Sequence, residues 1–248
     1  MDSSTELNLV SLVDPTDIRE RGLDLTAFYI FKRIIDVVIS FIVLLFLLPV
    51  MVIIAILIKL DSPGPVFFRQ TRVGSQKIKD GESFLWKRHD FSIYKFRSMV
   101  NKVSVEVHRE YIKAYIDNDE EKMTRMEGTD SGMHKLVNDS RITKVGKILR
   151  KLSLDEIPQF WNVIRGEMSL IGPRPALPYE VNLYSPRHMR RLDAKPGISG
   201  LQQTTARCII SFDDQVNLDI EYVENQSLWL DIKLLIKTPI TVFVQKGA

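Results

Sequence analysis

The chain has 248 residues, 45% hydrophobic and 26% charged, enough for one large domain or two small ones with a real core. Its 34 basic and 31 acidic side chains leave a formal net charge of +3, so bulk charge points to no nucleic-acid partner. The single cysteine, Cys208, excludes an internal disulfide and a multi-cysteine metal site, and the four histidines lack the close spacing of a zinc site.

Residues 1–30 read as a polar N-terminal extension. Residues 31–60 then carry the strongest compositional signal. Between Asp36 and Lys59 lie 22 residues without a charge, long enough to enter or cross a bilayer at about 1.5 Å per residue. The charged stretch before it and the lack of a small-residue cleavage site exclude a signal peptide. Lys32 and Arg33 precede the run and Lys59, Arg69 and Arg72 follow it, so flanking charge sets no orientation. Pro49 near the middle predicts a bend. Asp36 is expected to pair with Lys32, one turn back. A kinked single span and a hairpin that leaves by its entry face both fit these residues.

From 61 to 248 the chain reads as a separate domain. "DSPGPVFFRQTRVG" (61–74) predicts a turn and a short strand, and "FSIYKFRSM" (91–99) a strand with Lys95 and Arg97 on one face. Residues 76–90 carry no readable motif. Residues 101–135 are polar and mixed in charge, which predicts an exposed insertion of helix and loop. "DSRITKVGKILRKL" (139–152) predicts a helix with Ile142, Val145, Ile148 and Leu149 on its apolar face. Phe160, Trp161 and Val163 read as core, and Cys208 as an inert buried thiol. Two helical stretches, about 212–225 and 229–245, close the chain, the last suited to a membrane face or to packing on the domain.

"SLDEIPQFWNVI" (153–164) holds the candidate chemistry. Ser153 and Glu156 have the spacing of a capping box, with Asp155 favouring the positive helix end. Two features resist that structural account. Pro158 would be a fifth helical residue, where it forfeits a hydrogen bond. Arg141, Lys144, Lys147, Arg150 and Lys151 also supply far more positive charge than one cap needs. Adjacent carboxylates project about 100° apart on a helix, a poor way to straddle a glycosidic bond. They suit a division of labour in which one attacks phosphorus and the other helps hold a divalent cation, while arginines bind phosphate oxygens.

Taken in order, "FKRIIDVV", "SPGPVFFRQTRVG", "YKFRSM", "DSRITKVGKILRKLSLDEIPQFWNVIRGEMSLIGPRP", "KPGISGLQQ" and "LDIKLLIKT" resemble the monotopic phosphoglycosyl transferases, a family of bacterial sugar transferases. The resemblance covers residues 31 to about 243. It implies transfer of a sugar 1-phosphate from a UDP-sugar to undecaprenyl phosphate with release of UMP, through a covalent aspartyl-phosphosugar, at the start of exopolysaccharide, capsule or lipopolysaccharide assembly. It implies Asp155 as nucleophile, Glu156 as its partner, and magnesium at that pair. Arg150, Arg174 and Arg207 would contact phosphates, joined by Lys95 and Arg97. Leu48–Pro49 would break a re-entrant helix, placing the catalytic domain on the cytoplasmic face of the bacterial inner membrane. The implied fold is α/β (α+β), a membrane hairpin with a small cytosolic domain and interfacial helices, and a homodimer is compatible with it.

Several positions depart from the family pattern. Leu48 stands where serine is common, and "GLQQTTARC" alters the surroundings of Arg207. With no further membrane run in residues 1–30, the chain looks like the short catalytic form. Two other functions are kept open: a membrane phosphatase or other hydrolase using Asp155, and a non-enzymatic module binding anionic lipids through its basic clusters.

Overall fold

A computed structural model describes residues 22–80, 83–100, 105–127, 142–205 and 211–244. Helix α1 (Gly22–Asp61) runs 40 residues with Pro49 inside it. Within Ala27–Asp61 the mean hydropathy reaches 3.4 and little is buried in protein, so the helix is long and apolar enough for a membrane anchor.

Both ends of α1 are fastened to the folded domain. Phe28, Lys32, Asp36 and Ser40 recur every fourth residue and are buried. Lys32 Nζ donates to Asp231 Oδ2 at 2.5 Å and to the Ile171 carbonyl at 2.9 Å, while Asp36 accepts from the Leu170 N–H at 2.9 Å. The expected Lys32–Asp36 pair therefore gives way to three longer-range contacts. At the other end Ile54 and Ile58 are buried in a cluster with Phe96, Leu149 and Ile157, and Asp61 Oδ2 accepts from the Val145 N–H at 3.0 Å. Between these ends Phe41, Leu45, Phe46, Leu48, Val52 and Ile53 are exposed. Water is a poor neighbour for so much apolar surface.

Strands β1 (Phe67–Asp80) and β2 (Ser83–Phe96) form a long antiparallel hairpin, with Phe67 opposite Phe96 and Asp80 opposite Ser83. The motif-free residues 76–90 are its outer half. Side chains alternate, so Phe68, Gln70 and Arg72 share a face with Phe91, Ile93 and Lys95.

Helices α2 (Val105–Ile116) and α3 (Glu120–Glu127) come from the polar insertion. Its described part, residues 105–127, is less exposed than its composition predicts, and the rest of the 101–135 stretch lies outside the described residues. Tyr111, Ala114, Tyr115 and Met123 are buried against Phe212 and Val216, because a few aromatics at helical spacing suffice for a docking stripe.

Helix α4 (Lys144–Lys151) is capped by Thr143, whose side chain accepts from the Gly146 N–H. Ile148 is 58% exposed, contrary to its expected place on the apolar face. Gly146 explains this. A Cβ there would collide with the Ser98 carbonyl, so residue 146 faces inward, and residue 148 lies about 200° around the helix. A 3-10 turn (Leu154–Glu156) leads to α5 (Gln159–Arg165). On α5, Trp161 is 50% exposed rather than core. The inward position belongs to Asn162, which accepts from the Tyr94 N–H at 3.1 Å and donates to the Ser92 carbonyl at 2.7 Å. Phe160 is half-buried and Val163 fully buried, as expected.

Strand β3 (Ser169–Ile171) pairs in parallel with β4 (Gly197–Ser199), and α6 (Pro178–Val181) and α7 (Pro186–Met189) lie between them in the chain. Gly172 and Gly197 approach so closely that a Cβ on either would strike the other's backbone. That contact is the structural need behind the glycines of "IGPRP" and "KPGISG". After α8 (Leu201–Thr205), α9 (Phe212–Glu224) and α10 (Leu228–Val244) complete the described chain. On α10, Leu234 is buried in the domain while Trp229, Ile236 and Ile240 are exposed. The central core joins Phe91 and Ile93 to Val163, Met168, Leu170, Ile171, Tyr222 and Leu234. The class is mixed helix and sheet, as expected.

Candidate active site

After α4 the backbone takes a conformation that residues other than glycine rarely adopt: Ser153 has φ 55° and ψ 20°. This sharp reversal puts Asp155 and Glu156 on the 3-10 turn rather than in the first turn of an α-helix. Ser153 makes no side-chain capping bond, so the capping box is absent. Pro158, awkward as a fifth helical residue, is instead the N-cap of α5, where it needs no hydrogen bond to an earlier turn. The turn is strained, and it carries two carboxylates.

Burial pushes the Asp155 carboxyl up to about 6; Lys95 pulls it back, Glu156 adds to the rise, and Arg150 opposes it. Glu156 Oε1 accepts from Lys95 Nζ at 2.8 Å. Because the Glu156 side chain is 37% exposed, that pair stabilises the fold little and chiefly fixes the two groups in place. Arg150 sits in the last turn of α4, exposed, with its charge felt at Asp155.

The loop after β3 is held differently. The Gly197 N–H donates to the Pro173 carbonyl at 2.8 Å, Arg72 to the Pro175 carbonyl at 2.9 Å, and the Val73 N–H to the Ala176 carbonyl at 2.9 Å. Pro173 and Pro175 are buried, and Arg174 between them is exposed. One guanidinium is thus presented on a rigid base.

Arg72 is the residue that sequence reasoning missed, having counted it only as a flanking charge. It is buried, and burial followed by repulsion from Arg174 lowers its pKa to about 10, so it stays cationic at neutral pH. The charge of Glu156 is also felt there. Arg72 therefore links the carboxylate turn to the Arg174 loop. The available signal was its period-2 spacing from Phe68, the residue opposite Lys95.

Arg97 has another task. It stands just past β2, buried, and donates to the carbonyls of Pro63 at 2.9 Å, Ser62 at 2.6 Å and Ile58 at 3.3 Å. The Ile58 carbonyl, in the last turn of α1, also accepts from the Ser62 N–H at 3.2 Å, and Ser62 and Pro63 follow the helix, so Arg97 braces the C-terminal end of α1 instead of facing the carboxylates. Leu48 and Pro49 lie in the exposed middle of α1. Arg207 and Cys208 lie outside the described residues.

Among the described residues no group of three or more His, Cys, Asp or Glu side chains could hold a metal ion by itself. Asp155 and Glu156 fit a different kind of site. Magnesium commonly takes one or two carboxylates and completes its shell with water and substrate phosphate. A half-buried carboxylate with a raised pKa beside a second one suits that open arrangement. Chemically, the pair offers one carboxylate able to act as a nucleophile and a second held by Lys95, with the charge of Arg150 felt at the first.

Residues 27–245 match the family described as Bacterial sugar transferase. The exopolysaccharide production protein ExoY of Rhizobium meliloti (strain 1021) is 38% identical over 218 residues, covering 88% of this chain and 87% of the relative. The UDP-glucose:undecaprenyl-phosphate glucose-1-phosphate transferase of Klebsiella pneumoniae is 33% identical over 251 residues, 98% of this chain and 46% of the relative. The undecaprenyl-phosphate galactose phosphotransferase of Salmonella typhimurium is 38% identical over 219 residues, 88% of this chain and 41% of the relative. The chain thus spans most of the ExoY protein but less than half of the other two. With the family match running from α1 through α10 and enclosing the carboxylate turn and the Arg174 loop, this chain belongs to the bacterial sugar transferase family.

Proposed function

We propose that the protein transfers a sugar 1-phosphate from a UDP-sugar to undecaprenyl phosphate, the activity that the names of its relatives describe for those proteins, and so begins assembly of a surface glycan such as an exopolysaccharide. The observation that carries this reading is Asp155: a half-buried carboxylate on a strained turn, facing the charges of Lys95 and Arg150.

An Asp155 carboxylate oxygen attacks the phosphorus that bears the sugar. The bond from that phosphorus to the bridging oxygen breaks, and UMP leaves with the bonding pair. The acyl phosphate so formed is attacked by a phosphate oxygen of the lipid, which restores the carboxylate and yields a lipid pyrophosphoryl sugar. Lys95 orients Glu156 beside the nucleophile, and Arg150 and Arg174 receive non-bridging oxygens. Magnesium bound by Asp155 and Glu156 would neutralise pyrophosphate charge that otherwise repels the attacking anion.

In this reading α1 is re-entrant and the domain rests on the cytoplasmic face of the inner membrane. Supporting it, Arg33 donates to the Val163 and Ile164 carbonyls at 2.5 and 2.7 Å, while Ile54 and Ile58 share a cluster with Ile157. A straight helix would separate residues 33 and 58 by roughly 37 Å, whereas the helical path from Ile157 to Val163 covers about 9 Å. A bend at Pro49 reconciles the two.

The test is covalent trapping. With a sugar-labelled UDP-sugar and no lipid, wild type should retain label on protein and release UMP, and Asp155→Asn should do neither while keeping its fold. Sugar-phosphate transfer should depend on undecaprenyl phosphate; label passing to water at the same rate without lipid would mark a hydrolase, and full transfer by the Asn variant would end the assignment.

A further inference from the structure

The polar insertion carries one side chain to the same hairpin face as the carboxylate pair. Lys95, opposite Phe68, holds Glu156 at one end of that face. Arg72 lies four residues along β1 from Phe68, about 13 Å at 3.3 Å per residue. Arg72 and Val73 pin Pro175 and Ala176, and α6 begins two residues later with Tyr179 in its first turn. The guanidinium of Arg109, from α2, lies over the Tyr179 ring at 5.4 Å. The phenol of Tyr179 feels Arg72 and Arg109 together, so the three form one neighbourhood.

Its charge is unbalanced. Among the described residues, Arg72, Arg109 and Arg174 stand against two carboxylates: Glu180, whose Oε2 already accepts from the Leu177 N–H at 2.8 Å, and Glu156, which Lys95 already holds. Arg109 and Arg174 are exposed and open to a solute. Packing of the insertion does not require Arg109. The buried positions of α2 are Tyr111, Ala114 and Tyr115, and residue 109 lies about 160° around the helix from Tyr111. A planar guanidinium stacked on an aromatic ring offers a flat cationic surface, a form that suits both a nucleobase and a phosphate.

We infer that Arg109 and Tyr179 form the nucleotide end of the donor site, with Arg109 meeting the nucleoside diphosphate part of the donor while Asp155 meets the sugar-bearing phosphorus. This rests on the transferase reading above. The insertion then has a purpose: it brings Arg109 to the Arg72 end of the hairpin face, about 13 Å along β1 from the end where Lys95 holds Glu156.

The experiment uses the full chain in detergent or nanodiscs, with Arg109→Ala, Arg109→Lys, Tyr179→Phe and Tyr179→Ala. Arg109→Ala should raise the KM for the UDP-sugar and the inhibition constant for UMP about tenfold, as expected for one lost charged contact. Its KM for undecaprenyl phosphate and its Tm should stay at wild-type values. Arg109→Lys should recover part of the loss, Tyr179→Phe, which keeps the ring, should raise the donor KM less than Tyr179→Ala does, and Tyr179→Ala should follow Arg109→Ala. Donor constants unchanged in Arg109→Ala would overturn the inference. So would donor and lipid constants that rise together with a fall in Tm, which would make the pair a structural staple. Calorimetric titration of UDP separates the two readings. UDP that binds Arg109→Ala about tenfold more weakly than wild type supports this site even if no sugar is transferred, in which case the transferase reading alone fails.

Discussion

The two loops that meet at the site are built in opposite ways. The loop from Gly172 to Ala176 is pinned by three backbone carbonyl contacts and by a glycine pair that admits no side chain. The turn from Ser153 to Pro158 has a left-handed serine, no side-chain cap, and a half-buried carboxylate raised toward neutrality. Rigidity suits the first, because a phosphate-binding arginine works by being in place beforehand. The second stores its cost in backbone strain and in a carboxylate kept partly out of water, a state that reactive groups share. Substitutions that leave one loop intact while loosening the other separate these two designs.

The largest effects should be on turnover. Glu156→Gln keeps the shape of the turn and removes a charge, and should lower kcat by about 10²–10³ with weaker dependence on magnesium. Arg174→Ala should lower kcat/KM by a similar 10²–10³, the range found when one preorganised donor is removed. Arg174→Lys should recover only part, since an ammonium cannot make two parallel contacts. Steady-state kinetics with and without chelator measure both. Indifference of wild-type activity to chelation would remove the metal from the mechanism.

Effects on stability come next, and here the pinned loop is the fragile one. Gly197→Ala would drive a methyl into the backbone of Gly172, where nothing flexible can yield. Its cost should be about 3 kcal/mol or more by denaturant unfolding, in the range of overpacking and backbone strain. A cost below 1 kcal/mol would mean that β3 and β4 separate easily and that the loop is not rigid.

Much of this was legible from residue order. The long apolar segment and the closing helices stand where composition and periodicity place them, whereas the carboxylate pair lies on a 3-10 turn and not in the first turn of a helix. The errors have a common cause. Ile148 and Trp161 are exposed because a glycine contact and a hydrogen-bonded asparagine set the rotation of their helices. Arg97, two residues from Lys95, braces α1 because β2 ends between them. Arg72 joins the site because the hairpin brings β1 under the Arg174 loop. A sequence displays residue types and local spacing; helix rotation and long-range register depend on contacts between distant segments, and they decided each of these cases.

A smaller effect concerns pH. The Asp155 carboxyl ionises at about 6 in the folded protein, against an ordinary 3.8, chiefly because it is buried. The folded state therefore holds that proton more tightly than the unfolded state does. Its contribution is fully present below 3.8 and is lost as pH rises through about 6. Asp155→Asn has no proton to lose. In chelator, its stability should match wild type near pH 3.5 and exceed it above pH 6.5 by at most about 3 kcal/mol. Thermal unfolding across pH reads this directly, and magnesium should narrow the gap by stabilising the carboxylate. A gap that is constant with pH would show that Asp155 is not shielded from water.

The smallest effect tests the strained turn itself. Ser153 at φ 55° occupies the left-handed region, which costs a side-chain-bearing residue about 1–2 kcal/mol relative to the right-handed one. Glycine bears no such cost there, although it gives the unfolded chain more freedom. Ser153→Gly should therefore stabilise the protein by roughly 0.5–1 kcal/mol. Ser153→Ala should be close to neutral, because the hydroxyl makes no capping bond and both side chains bear the same backbone cost. If the strain also fixes the direction of Asp155, the glycine variant should be more stable and yet slower, with kcat reduced and donor KM unchanged. If instead it loses stability, the positive φ is not a source of strain, and the Asp155 turn is held as firmly as the Arg174 loop.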